Sequence, residues 1–573
     1  MSTTREALAL HAAGRTTDAL ILLFNAIGVS DRAHSAHEER QLLAQLLEGV
    51  ALNSGNHVIQ HVLLELLQDS AIDAQQVARA AIGLVVASPE FAALEQFSTV
   101  PDEVVSEVQV APVLRAFLRL PLVRAVLPRV VLSESRVERV ATFARRALLA
   151  FLAGETPAEQ WHWEAVHLLA QSAFNGEYAW HEGTDEREFV EAAGAHLSTW
   201  LAERTIAPYE GAVDAPAPML LLYALYRRLT LLPHWEHLTH VPSAAWEPFG
   251  LWVTPTVAQH IHERLEERRL AADMPTLSPP QATDDTEASV RVRAMYEAHP
   301  YPRWTSLGTP RVTSVAAFIR ELSGRTAPPD TLRLLVAGCG TGRQAAHTAR
   351  SFPDSRVLAL DLSSASLGYA ARMTHDLGID TVDFMQGDIL ALDTLREQFA
   401  IVFCSGVLHH MRDPRAGWAQ LVQRLHPHGV LKIALYSETA RQAVTAARAL
   451  IDAHQLAGTD DDVRSCRALL LALPDNHDAR TVTDSTDFYS LSGCRDLVMH
   501  VQERTYTIAA LAEELESLQL RFLGFQLSVN VQQAFRREHP ASDASGSLDA
   551  WAQFERRHPA TFWGMYQFFV EKR

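Results

Sequence analysis

The chain has 573 residues, enough for three or four domains, each with its own core. Hydrophobic residues make up 48% and charged residues 21%, which excludes a disordered chain; the longest apolar runs, such as Met219 to Leu225, are too short to span a bilayer. A formal net charge of -18 without a recognisable basic stretch argues against a nucleic-acid partner. Cys339, Cys404, Cys466 and Cys494 form no CxxC pair, and the opening MSTTREALAL lacks the layout of a secretory signal, so the expected location is cytoplasmic.

Residues 1–272 read as helix. Apolar positions recur at spacings of three and four in 40–52, 110–120 and 137–152, and strand-like alternation is nearly absent. The spacing divides this part into an N-terminal helical region, 1–100, with a tetratricopeptide-like look in 6–27, and a second helical domain, 101–272. Residues 273–288 read as a linker because Pro275, Pro279, Pro280 and the acidic Asp284-Asp285 suit no core. A short amphipathic helix over 289–298 is stopped by His299-Pro300-Tyr301-Pro302.

From 332 the pattern alternates between strand and helix, predicting an α/β, Rossmann-like parallel sheet. Strands are expected at 332–337, 356–360, 381–385, 399–404 and 430–435, with helices at 344–352 and 416–425. An insertion at about 437–506 interrupts the alternation, which resumes with a helix at 508–518 and strands at 520–526 and 565–570. This sets the last domain at 289–573, with seven strands, the layout of class I methyltransferases.

Four segments fall at consecutive strand ends, where open parallel sheets bind ligands. Gly338-Cys339-Gly340-Thr341-Gly342 follows strand one, where glycine permits a tight turn and close approach of a ligand. Asp361-Leu362 ends strand two, placing an acid where it can accept hydrogen bonds from ribose hydroxyls. Gly387-Asp388-Ile389 follows strand three, where methyltransferases set an acid against the adenine amino group. Ser405-Gly406-Val407-Leu408-His409-His410-Met411 follows strand four, and no dehydrogenase has reason to carry that pair in that order. S-adenosylmethionine is therefore the expected cofactor. No metal is expected: neither His409-His410 nor His234-x-x-His237-x-x-His240 has a cysteine or carboxylate to complete a ligand set.

Residues 292–304, VRAMYEAHPYPRW, resemble the "YEENPYPRW" segment of bacterial methyltransferases often fused to tetratricopeptide repeats. Residues 488–503, FYSLSGCRDLVMHVQE, are similar to that group's "RDLLFHVQE" stretch, and 170–178, 523–525 and 562–568 share in the likeness. The group is similar to the rickettsial-type protein lysine methyltransferases. The resemblance covers roughly residues 110 to 573 and implies a protein lysine substrate. Val336 and Ala400 stand where acids are usual, and Phe569 where a tryptophan is expected. With Val336 the methionine end of the cofactor lacks its usual partner, for which Arg303 or Tyr296 are the candidates.

Tyr296 and Arg303 are thus read as cofactor contacts in a capping segment, through cation–π attraction and a carboxylate contact. If residues 497–502 are helical, Asp496, His500 and Glu503 share one face suited to holding and deprotonating a lysine ammonium. His500 and Glu503, with Tyr489 and Tyr436, are the catalytic candidates. Two other readings compete: a small-molecule methyltransferase whose helical half is a lid or a homodimer contact, and an S-adenosylmethionine-binding scaffold without turnover.

Overall fold

Apolar residues three and four apart build one unit of this protein, and runs of buried strand residues build the other. The computed structural model describes residues 3–29, 35–99, 107–153, 158–204, 215–277, 284–326, 333–541 and 543–573. The first unit comprises Met1–Leu265, His454–Asp475 and Arg480–Arg495; the second comprises Glu266–Ala453, Asn476–Ala479 and Asp496–Arg573.

The described residues of the first unit contain helices and no strand. Helix His57–Gln68 opens on Asn56, whose side chain accepts from the Ile59 amide, and it buries Val62, Leu63, Leu66 and Leu67 as one stripe. Helix Ala74–Val86, capped by Asp73, repeats the design with Val77, Ala78, Ala81, Ile82 and Val85. Among the described residues of this unit, Arg145 pairs with Glu186 at 2.9 Å and Arg467 with Glu138 at 2.5 Å, both pairs buried. Arg467 comes from the expected insertion, whose middle therefore belongs to the helical unit rather than wholly to the sheet domain. There the Ser492 amide donates to Glu177 at 2.8 Å and the Leu491 amide to the Gly176 carbonyl at 3.3 Å. Two stretches that carried the family likeness, 170–178 and 488–495, thus pack on each other. Among the described residues no single helix is long and apolar enough to cross a membrane.

In the second unit the strands are β1 (Arg333–Ala337), β2 (Arg356–Asp361), β3 (Val382–Gln386), β4 (Phe399–Ser405), β5 (Leu425–Tyr436), β6 (Leu520–Phe525) and β7 (Met565–Lys572). Their order is β3-β2-β1-β4-β5-β7-β6; β1 to β5 run parallel, and β7 lies antiparallel between β5 and β6. The residues of β1 and β4 are buried on both faces, as a sheet covered on each side by helices requires. Helices Arg343–Ser351, Ser364–Asp376 and Pro414–Arg424 make the crossovers. Strand order reverses at the β1/β4 boundary, so a crevice opens at the carboxyl ends of these strands. The expected strands are all present within a few residues of their bounds, except that residue 332 lies outside the described residues and β5 begins five residues early.

Part of the expected linker is structural. Gln386 donates its amide to the Pro275 carbonyl and accepts from the Leu277 amide, both at 2.8 Å, and Leu277 is buried. The chain at 275–277 adds to the sheet edge beside β3, because Leu277 has an apolar place to fill against Gly387. Pro279 and Pro280 lie outside the described residues. Two helices between β6 and β7, Val529–Glu538 and Leu548–Arg557, were not read from the sequence; Phe535 stacks on Trp551 at 3.6 Å between them.

Candidate active site

The loop after β1 turns through three glycines with positive φ, Gly338 (71°), Gly340 (53°) and Gly342 (84°). A Cβ on Gly342 would stand 2.5 Å from the Ala370 Cβ, and one on Gly338 2.3 Å from a Val407 methyl. Only glycine meets both the conformation and the space. Asp361, at the end of β2, holds this loop: its carboxylate accepts from the Gly340 amide at 2.7 Å and from the Ser363 amide at 2.9 Å. Burial pushes its pKa up against those two hydrogen bonds, and the nearby Glu297 adds to the rise. Each carboxylate oxygen keeps a second lone pair for a ligand hydroxyl.

The remaining cofactor candidates lie at the neighbouring strand ends and in the capping segment. The Gly387 amide donates to the Asp361 carbonyl, the Leu362 carbonyl accepts from Gln386, and Asp388 caps the short turn Ile389–Thr394 through the Leu390 amide. Cys339 is buried, which raises its thiol pKa. The hydroxyl of Ser405, at the end of β4, is buried without a hydrogen-bond partner among the described residues. The capping segment lies against the loop: the Trp304 indole N–H donates to the Thr341 carbonyl at 2.9 Å, and the Thr341 hydroxyl donates to the Pro302 carbonyl. Arg303 sits over the Tyr369 ring at 5.7 Å. A glycine cradle, an acid with spare lone pairs and an unmatched hydroxyl fit an adenosyl amino acid.

Tyr296 leads from this cradle to a second cluster. Its hydroxyl donates to Asp496 at 2.7 Å and lies 3.3 Å from His500 Nε2. Burial holds its pKa well above the ordinary range, the Asp496 charge adds to this, and Tyr436 and Asp361 are near enough to contribute. The His500 ring stacks on His410 at 3.6 Å. His500 Nδ1 accepts from the Gln502 amide at 3.0 Å, so its proton sits on Nε2; His410 Nδ1 donates to the Gln502 carbonyl at 2.7 Å. Burial lowers the pKa of both imidazoles, that of His500 to about 3, and keeps them uncharged at neutral pH.

The structure therefore corrects several expectations. Helix Leu491–Met499 ends before His500, so Asp496, His500 and Glu503 do not share a helical face; Tyr296 joins the first two instead. Glu503 is buried between Arg441 (2.6 Å) and Arg448 (2.8 Å), an ion-pair centre rather than an available base. Tyr489 belongs to the helical unit, where burial raises its pKa and the Arg467 guanidinium lies 5.7 Å from its ring; Arg495 pairs there with Asp460 at 2.7 Å. Tyr436 ends β5, stacked on His409 at 3.8 Å and covered by Arg441 at 3.8 Å.

A carboxylate does join the histidines, contrary to the expectation: ligand atoms of His410, Asp496 and His500 lie within 4.8 Å of one another. Imidazoles bind a metal in their own planes at about 2.0–2.1 Å. The rings of His410 and His500 are stacked only 20° from parallel, so both planes cannot meet at one ion so close. The Nε2 proton of His500 also faces the cluster. This arrangement is a hydrogen-bonded network, not a ligand set.

Residues 334–429 match the family described as Methyltransferase domain. An uncharacterised protein of Synechococcus sp. is 29% identical over 46% of this chain and 66% of its own length. The trans-aconitate 2-methyltransferase of Deinococcus radiodurans is 33% identical over 19% of this chain and 43% of its own. The chain thus spans less than two thirds of the length of these relatives. Among solved structures, PKMT2 from Rickettsia typhi in complex with AdoHcy is 18% identical, with a TM-score of 0.36 over 48% of this chain and 55% of that one. Strand order and glycine loop give the second unit the fold of a class I methyltransferase, its residues 334–429 match the methyltransferase-domain family, and the cradle fits S-adenosylmethionine.

Proposed function

We propose that this protein transfers the methyl group of S-adenosylmethionine to the side-chain amine of a protein lysine. One observation carries the reading. The two segments most like the rickettsial-type lysine methyltransferases, 292–304 and 488–503, converge where Tyr296 donates to Asp496 at 2.7 Å. A carboxylate backed by a phenol and uncharged imidazoles suits an incoming ammonium and would repel a carboxylate acceptor.

The bound cofactor supplies a methyl group already activated by its sulfonium. Asp361 and Asp388 would hold its ribose and adenine, and the glycine loop its amino-acid end. The capping segment from Tyr296 to Trp304 excludes water, and the Asp496–Tyr296 pair holds the amine while solvent takes its proton.

Mass spectrometry of lysate proteins after incubation with deuteriomethyl cofactor tests the proposal. The chain's two lysines give little background: Lys432 is buried, and Lys572 donates to the Leu425 carbonyl at 2.6 Å. Modified lysines in other proteins are expected; label confined to small molecules would overturn the reading. Tyr296→Phe removes a hydrogen bond to a charged acceptor, so transfer should fall by about 10- to 100-fold while affinity for S-adenosylhomocysteine stays unchanged.

A further inference from the structure

His409 is fully buried, and neither of its ring nitrogens has a hydrogen-bond partner among the described residues. Buried polar atoms are paired in all but a few cases, and such an exception calls for a partner that an ordered water or a ligand supplies. The ring is not loose. Tyr436 stacks on one face at 3.8 Å with 27° between the planes, and His410 meets it edge-on at 4.3 Å. Packing fixes the imidazole plane and leaves its polar edge unmatched.

Position says what that edge meets. His409 lies in the turn Leu408–His410 after β4, and Val407 of the same loop is the residue crowding Gly338 in the cofactor cradle. Arg441 and His500 act on its charge, which places it beside the Tyr296–Asp496–His500 cluster. It thus lies two residues along the chain from the cradle's Val407 and packs on His410, which stacks on His500 of the second cluster.

We propose that His409 is a catalytic residue whose ring nitrogen accepts a hydrogen bond from the N–H of the acceptor amine and so aims the amine lone pair at the methyl carbon. This rests on the amine reading given above. Burial, then Arg441, keep the ring uncharged, so one nitrogen carries a lone pair and the other a proton. An imidazole so held is a poor base for an alkylammonium of pKa about 10.4, and its work is orientation of the amine once solvent has taken the ammonium proton. The amine lone pair forms the N–C bond as the C–S bond breaks with its electrons passing to sulfur. The product is a methylammonium, whose extra proton goes to solvent.

His409→Phe keeps a ring against Tyr436 and removes both nitrogens, while His409→Gln restores one acceptor. His409→Phe should bind S-adenosylhomocysteine normally in calorimetry and lose about 100-fold in kcat, with His409→Gln recovering part of the loss. Cofactor affinity lost in parallel would overturn the proposal and assign the imidazole to the cofactor's amino-acid end. Unchanged turnover would overturn it by leaving the ring a packing role. Should His409→Phe not fold, nitrogen-15 spectra of histidine-labelled wild-type protein with S-adenosylhomocysteine give the second measurement. Adding n-butylamine at about pH 9 should shift the His409 ring nitrogens, and no shift at saturation overturns the proposal. If label in the lysate lands on an amine other than lysine while His409→Phe still loses kcat alone, the lysine reading fails and the orienting role stands; label on an acceptor without an N–H overturns both.

Discussion

At the cofactor end of the site, Asp361 reaches the Gly340 amide across 21 positions of chain and the Ser363 amide across 2. At the acceptor end, Tyr296 reaches Asp496 across 200 positions and His500 across 204, and His410 reaches Gln502 across 92. The first end is made of side chains answering nearby backbone, so each contact stands almost alone. The second is made of groups far apart in the chain answering one another, so removing one leaves its neighbours buried and unmatched. Near contacts give a site whose parts can be removed singly; distant ones give a site that responds as a whole.

The largest effect should come from the pair of arginines that closes the acceptor end. Glu503 is 6% exposed and Arg441 5% exposed, and Arg448 shares the same carboxylate. Glu503→Gln removes the charge that both guanidiniums answer, and breaking a buried pair from one side costs about 3–5 kcal/mol. Urea unfolding should show that loss in full. A variant of normal stability that fails only in turnover would return Glu503 to the role of base and make the acceptor end as separable as the cofactor end.

The cofactor end should lose function without such collapse. Asp361→Ala deletes the acceptor expected to meet both ribose hydroxyls, worth roughly 2–4 kcal/mol of cofactor affinity. Calorimetry with S-adenosylhomocysteine reads this directly. An unchanged dissociation constant in a folded variant would remove Asp361 from the site.

The same contrast decides what could be read from the sequence. Gly338, Gly340 and Gly342, then Asp361 and Asp388, sit at strand ends whose apolar runs announce themselves, so local pattern and parallel topology were enough to place them. Asp496 and His500 were legible as an interesting pair but tied to the wrong geometry: a helix over 497–502 was assumed, and the helix ends at Met499. What joins them is Tyr296, and no spacing rule spans 200 residues. Tyr489 misled for a related reason. Its stretch looks continuous with Asp496, yet the chain leaves the helical unit after Arg495, and only tertiary contacts show it. His409 and His410 were set aside as metal ligands for want of a cysteine or carboxylate beside them; their stacking on Tyr436 and His500 gives them another use.

Acidity should separate the two ends by sign. Burial is the largest cause holding His409, His410 and His500 uncharged, and for His500 the pKa falls from 6.5 to about 3. Between those values the unfolded chain binds the proton and the folded chain does not, so this group makes stability fall as pH drops below 6.5 and has no effect above it. The slope is about 1.4 kcal/mol per pH unit for each such histidine. Asp361 works the other way: its pKa is raised on folding, so its contribution is fullest in acid and is lost as pH rises through the folded value. His347, lowered to about 4, adds an acid-labile background in the same unit, so total stability alone would not isolate the cluster. The difference between wild type and His500→Asn does. Asparagine cannot take the proton, so the stability gap between the two proteins should narrow by about 1 kcal/mol on going from about pH 6.5 to about pH 5.5. Urea unfolding at both pH values gives that gap. A gap independent of pH would mean that His500 titrates in the folded protein as it does in the unfolded chain, and the stacked, Gln502-bonded imidazole would not be the uncharged group on which the acceptor end depends.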